Sequence, residues 1–162
     1  MPSEPAWLAR LARVAGPLDA VRPLGGAYLV EAGGTTLVAK PGPGARDEAD
    51  GLRRIGAVAA APPVPQVVLA DDDLLVTAAV AQAPRTSGHD EGLGWALGAL
   101  HRARLPRWGG GSSYIGRCEV DPAEADDAPA FYGRRLTALA RRCALEAMVA
   151  PVVARLADLI PP

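Results

Sequence analysis

Proline and glycine set the length of every regular element that this chain can build. Gly16-Pro17, the run Pro41-Gly42-Pro43-Gly44, and Pro62-Pro63 with Pro65 cut the first half into short pieces. Proline is disfavoured in a helix interior and in a central strand, so these runs punctuate the chain. In the first piece Trp7, Leu8, Leu11 and Val14 recur at helical spacing, with Ser3 as a cap and Pro5 near the first turn. The second holds two β-prone runs, Ala27–Glu31 and Thr35–Lys40, joined by Ala32-Gly33-Gly34, which predicts a hairpin. The third predicts a helix over about 45–57 with Ala49, Leu52 and Ile55 on one face. Two further strands, Gln66–Ala70 and Leu74–Ala79, flank Asp71-Asp72-Asp73, a strong turn signal.

After about residue 82 the pattern changes. Ala83–Ser87, with Pro84, reads as a linker, and only helices are expected beyond it. One covers about 90–103, with Leu93, Ala96, Leu97 and Leu100 as its apolar stripe. The glycine-rich stretch Trp108–Gly116 reads as a loop. A helix at about 128–143 would turn Leu136, Leu139 and Cys143 inward, and a last one carries Met148, Val149, Val152, Leu156, Leu159 and Ile160, divided or started by Pro151. The expected class is α+β: a sheet-containing lobe over 1–82, followed by a helical lobe over 83–162.

The balance of charge excludes some partners. With 17 Lys and Arg against 18 Asp and Glu, the chain lacks the cationic excess that nucleic acid or an anionic membrane would demand. Glu4, Arg10 and Arg13 near the N-terminus do not suit a signal peptide. Apolar stretches such as Ile55–Ala61 are too short to cross a bilayer. Cys118 and Cys143, far apart and without paired spacing, read as reduced thiols, and the expected compartment is the cytoplasm.

Among those cations there is one lysine, Lys40. A chain that uses arginine everywhere else keeps lysine where a compact point charge on a flexible stem is needed and a planar fork is not. Lys40 ends the strand Leu37-Val38-Ala39, and Glu48 follows eight residues later in the first turns of the next helix. In ATP-dependent kinases a strand lysine holds the α- and β-phosphates and a helix glutamate orients it. A surface lysine and a glutamate favoured by the helix dipole, worth ~0.3–1 kcal/mol, would give the same spacing. Gly25-Gly26 stands just before the first strand, where a phosphate-covering turn would lie, but lacks the full pattern of a kinase or Walker loop. Gly109-Gly110-Gly111-Ser112-Ser113 has no following lysine and reads as a loop. His101-Arg102-Ala103 has alanine where a catalytic aspartate would stand. Arg134, Arg135, Arg141 and Arg142 read as a solvated basic face, with anion binding as the alternative.

Three motifs in the second half sharpen the reading. Leu97-Gly98-Ala99-Leu100-His101-Arg102, Ser113-Tyr114-Ile115-Gly116 and Phe131-Tyr132-Gly133-Arg134-Arg135-Leu136 resemble successive signatures of the fructosamine kinase family, approximately Leu-Ala-x-Leu-His-Arg, Asn-Tyr-Ile-Gly and Phe-Tyr-x-x-Arg-Leu. Gly25-Gly26, Val38-Ala39-Lys40 and Asp47-Glu48-Ala49-Asp50-Gly51-Leu52 agree, so the resemblance covers nearly the whole chain. It implies a protein-kinase-like fold and Mg2+-ATP-dependent phosphorylation of the 3-hydroxyl of a sugar amine (ketosamine), free or protein-bound. It further implies that Lys40 holds the ATP phosphates, that Glu48 orients it, and that Gly25 and Gly26 cover the phosphates. Val76–Val80, with Val76, Ala78 and Val80, would be the hinge whose backbone meets adenine.

The chain departs from the family at three points. The turn after Gly26 runs almost at once into the strand, and Ser113 replaces asparagine. The family's His-Gly-Asp catalytic loop and later metal-binding aspartate would fall beyond Pro162, and Asp158 is no substitute. The resemblance therefore implies the front part of such a kinase, with weak nucleotide binding and little catalysis of its own. The stripe Val149, Val152, Leu156 and Leu159 would then face water and favour self-association. A non-catalytic nucleotide-binding or interaction module is the alternative, and an unrelated α+β protein with a chance lysine is a third.

Overall fold

Trp7 and Leu11 lie one helical turn apart, and in the computed structural model both are buried on α1 (Ala6–Ala15), which begins after Pro5. The structure describes residues 5–103, 107–110, 113–115 and 118–160, with the side chains of 113–115, 118 and 119 outside that description. Ser3, Gly111, Ser112 and Gly116 lie outside the described residues. The chain forms two compact units, Met1–Ala103 and Arg104–Pro162.

In the first unit, β1 (Leu18–Leu24), β2 (Ala27–Ala32), β3 (Thr35–Pro41), β4 (Val67–Ala70) and β5 (Leu74–Ala78) make one sheet in the order β1-β2-β3-β5-β4. Every neighbouring pair is antiparallel. The hairpin expected between β2 and β3 turns on Gly33 and Gly34, both with positive φ (54° and 77°), the conformation a two-residue hairpin loop requires. Strand β1 is a correction to the sequence reading. Pro23, Arg22 and Asp19 give it no apolar alternation, yet an edge strand pairs on one side only and tolerates proline.

The sheet is covered differently on its two faces. Val30, Leu37, Ala39, Leu74 and Val76 bury one face against Trp7 and Leu11 of α1, with the Trp7 ring tilted against Tyr28 at a centroid distance of 4.9 Å. Alternate residues of β5 point the other way: Leu75 packs with Ala45 and Ala49 of α2 (Ala45–Gly56), joined by Leu52, Val67 and Ala70. Helix α2 thus covers the β4–β5 part of the second face. Helix α3 (His89–Arg102) buries no residue, and Leu93 and Leu97 of its expected stripe are exposed.

Beyond residue 82 the sequence reading expects helices and the Trp108–Gly116 loop, and the structure adds two short strands. Strands β6 (Ser113–Ile115) and β7 (Cys118–Val120) form a hairpin, and Trp108 bridges Ala125 in both directions at 2.8 Å. These three-residue strands carry too short an alternation to be read in sequence. Helix α4 (Ala128–Cys143) is capped by Asp127, whose carboxylate accepts the Ala130 N–H at 2.7 Å, with Pro129 in the first turn. Phe131 and Ala140 are buried and Leu136 and Leu139 half-buried, while Cys143, expected inward, is exposed. Pro151 lies inside α5 (Glu146–Val153), and α6 (Leu156–Leu159) follows. Gly133 admits Val153 and Leu156 to within 3.5 Å of where a β-carbon would stand, and Leu156 is buried there. Among the described residues no helix is long and apolar enough to cross a membrane.

Candidate functional site

Period-two alternation decides which β3 residues are available for chemistry. Leu37 and Ala39 are buried on the α1 face, so Thr36, Val38 and Lys40 share the opposite face. Gly42, Pro43 and Gly44 carry the chain from β3 to α2, and the Gly42 N–H donates to Asp73 O at 2.8 Å, fixing this short link to the β4–β5 turn. The first intrahelical bond then runs from Glu48 N–H to Gly44 O at 3.0 Å. Glu48 therefore emerges one turn into α2, beside the end of β3.

The Lys40 Nζ donates to Glu48 Oε2 at 2.5 Å, and each side chain is about half exposed, at 53% and 45%. An ion pair so exposed contributes only ~0–1 kcal/mol to stability. Its effect is geometric: one ammonium donor is fixed and, among the described residues, the others are free to meet an anion.

The register brings Gly25 and Gly26 to the same end of the sheet. Tyr28 opposes Ala39, and Leu24 opposes Ala27, so the two glycines alone close the β1–β2 hairpin beside Lys40. A β-carbon at either glycine would meet nothing within 4 Å, so the turn is open to an incoming group. Across β3, Val76 is fully buried on the α1 face, and Ala78 is half-buried opposite Leu37. The Ala78 N–H donates to Gln66 O and the Ala79 N–H to Thr36 O, at 2.9 and 3.0 Å. Val80 follows the end of β5 with its side chain 69% exposed. Among the described residues, no hydrogen bond engages its backbone.

The structure adds residues that sequence reasoning did not single out. Leu29 opposes Val38, Arg22 opposes Leu29 and Glu31 opposes Thr36, so all five share the face of Lys40. The counting signal was available: a two-residue Gly33-Gly34 turn fixes the β2–β3 register, and Gly25-Gly26 fixes β1 against β2. Thr77, the β5 partner of Val38, belongs to the same face and is buried.

The second unit carries two open recesses, about 200 and 440 Å3, both lined by Asp121 and by arginines of α4. Two of those arginines are structural. Arg134 donates to the Ala123 and Glu124 carbonyls at 3.0 and 2.5 Å, and Arg135 lies 4.3 Å over the Phe131 ring. Among the described residues no group of three His, Cys, Asp or Glu could hold a metal ion.

No protein-family model and no curated protein matches the chain. Two solved structures do. A proposed fructosamine-3-kinase from Thermobifida fusca YX-ER1 is 29% identical with a TM-score of 0.78, matched over 97% of this chain and 63% of its own length. A second proposed fructosamine-3-kinase, from Haemophilus somnus 129PT, is 15% identical with a TM-score of 0.73, over 91% of this chain and 58% of its own. The chain has the kinase-like α+β fold of these proteins and spans less than two thirds of the length of either.

Proposed function

We propose that this chain clamps ATP as part of a phosphotransferase of the fructosamine (ketosamine) 3-kinase type, which phosphorylates a sugar-amine hydroxyl. The observation that carries the reading is the Lys40–Glu48 pair, built from the chain's single lysine at a strand end and a first-turn helix glutamate. Phosphoryl transfer is mostly positioning and charge neutralisation, and such a pair holds a cation against the phosphates without closing it off.

The residues present fit ATP. Lys40 supplies the charge, the bare backbone of Gly25 and Gly26 lies beside it, and Leu29 and Val38 give an apolar floor. At the other end of β3, the backbone of Val80, unengaged among the described residues, suits the edge of a base. For Mg2+ no protein ligand set is found among the described residues, and in this reading the ion arrives on the triphosphate. The sugar-amine acceptor is taken from the two structural neighbours, both proposed fructosamine-3-kinases.

Titration calorimetry with Mg2+-ATP tests the reading on the wild type and on Lys40→Ala. Loss of a charged hydrogen bond to phosphate should weaken binding about 10- to 100-fold. A folded wild type that binds no ATP, or a Lys40→Ala variant that binds it equally well, would overturn the proposal.

A further inference from the structure

Arg22 stands on the nucleotide face of the sheet, where an apolar floor would lead one to expect another aliphatic residue. Its guanidinium reaches across from β1 to β2 and donates from Nη2 to Glu31 Oε1 at 3.1 Å. Glu31 is itself fixed on the other side: its Oε2 accepts the Thr36 hydroxyl of β3 at 2.9 Å. The chain Arg22–Glu31–Thr36 thus crosses three strands and holds a planar cation over β2 beside the half-buried Leu29 and Val38.

Position along the strands says which part of a ligand would meet it. From Lys40 to Thr36 is two pleat repeats, roughly 13 Å, running from the Gly25-Gly26 turn toward the Val80 end of β5. A nucleotide with its phosphates at Lys40 and its base toward Val80 must lay that base over Val38 and Thr36, next to the Arg22 guanidinium. Among the described residues of the first unit, helix α2 packs its apolar side over β4 and β5 and reaches β3 through Glu48, while Arg22 on β1 is exposed. Arginine planes stack on nucleobases, and a carboxylate-anchored arginine loses less freedom on doing so.

Building on the ATP-clamping reading, we infer that Arg22 binds the base of the nucleotide by stacking, with Glu31 and Thr36 as its positioning residues. The contact is with the nucleoside and not with the phosphates, which is what separates it from a cation that merely adds to the field of Lys40.

The test uses three probes on the whole chain: Mg2+-ATP, adenosine and inorganic tripolyphosphate. Arg22→Ala should weaken ATP and adenosine by a similar factor, about 5- to 30-fold, and leave tripolyphosphate unchanged. Arg22→Lys, which keeps the charge and loses the plane, should recover only part of the loss. Lys40→Ala should show the opposite split, weakening ATP and tripolyphosphate but not adenosine. If Arg22→Ala leaves ATP binding intact, or weakens tripolyphosphate as much as ATP, the inference fails while the assignment of Lys40 stands. A chain that binds no nucleotide overturns both.

Discussion

Two glycines that look alike in sequence are under different constraints. Gly26 closes the β1–β2 turn with open space where a β-carbon would go. Gly109 belongs to a run that reads as a flexible loop, yet its φ is +92°. A β-carbon there would stand 2.9 Å from Phe131 Cε2 and 3.0 Å from the Ala123 carbonyl oxygen. Trp108, its neighbour, bridges Ala125 and packs 6.0 Å from the Phe131 ring, so the backbone at Gly109 is pressed onto the aromatic centre of the second unit. The carbonyl cannot move without breaking the bond it accepts from Arg134. Gly109→Ala should therefore cost about 1–3 kcal/mol through backbone strain and steric clash. Gly26→Ala should change stability by no more than about 0.5 kcal/mol. Thermal unfolding of the two variants side by side checks this: equal melting temperatures would mean that the Gly109 loop is as free as its composition suggests. Lys40 is the converse case. Its candidacy shows in sequence because the chain has no other lysine, whereas its burial and energetics are those of an ordinary surface residue.

At the scale of elements, the Asp71-Asp72-Asp73 turn does more than reverse the chain. Arg10 of α1 reaches Asp71 and Asp73 at 3.3 and 2.7 Å, and Arg46 of α2 reaches Asp72 at 2.8 Å. Alternating carboxylates thus tie the helices on both faces of the sheet to one hairpin. The hydrogen bond from Arg10 holds the Asp73 carboxyl below its ordinary range and raises Arg10 in turn. A carboxylate with a depressed folded pKa adds stability above its unfolded pKa, and that stability is lost as pH falls through the folded value. Asp73→Asn should therefore destabilise the chain at neutral pH, and the difference from wild type should shrink as pH falls below about 4. Denaturant unfolding across that range is the measurement, and a gap of constant size would show that the pair is electrostatically idle. The sequence made this turn legible but not its partners, because Arg10 lies far from it in the chain. The same limit runs through the fold. Helices α1, α2, α3 and α4 and strands β2–β5 announce themselves by local period and punctuation. Strand β1 is recognised only by its partner, and β6–β7 are too short to show a period. At the candidate site, Lys40 and Glu48 are legible from spacing along one strand and one helix. Arg22, Glu31 and Val38 required the register across three strands.

The molecule as a whole leaves apolar surface in contact with water. Helix α5 is Glu-Ala-Met-Val-Ala-Pro-Val-Val, nearly apolar on every side, yet it buries no residue. A helix of that composition belongs in an interior. Met148 is 71% exposed, Val152 48% and Leu159 58%, while Leu156 alone of this segment is buried against α4. The sequence stripe therefore resolves into a buried Leu156, a half-buried Val149 and exposed Val152 and Leu159. A formal charge of −1 offers little electrostatic repulsion between copies. We expect association that grows with protein concentration and with a structure-making salt such as sulfate, since both favour removal of apolar surface from water. Sedimentation velocity over a hundredfold range of concentration reads it directly. Met148→Glu with Val152→Glu should shift the distribution toward the monomer while leaving α4 and its Leu156 contact intact. If the wild type sediments as a monomer throughout, these side chains are tolerated in solvent. If the double variant associates as strongly as the wild type, the contact lies elsewhere, and the exposed Trp95 and Leu97 of α3 become the next surface to test.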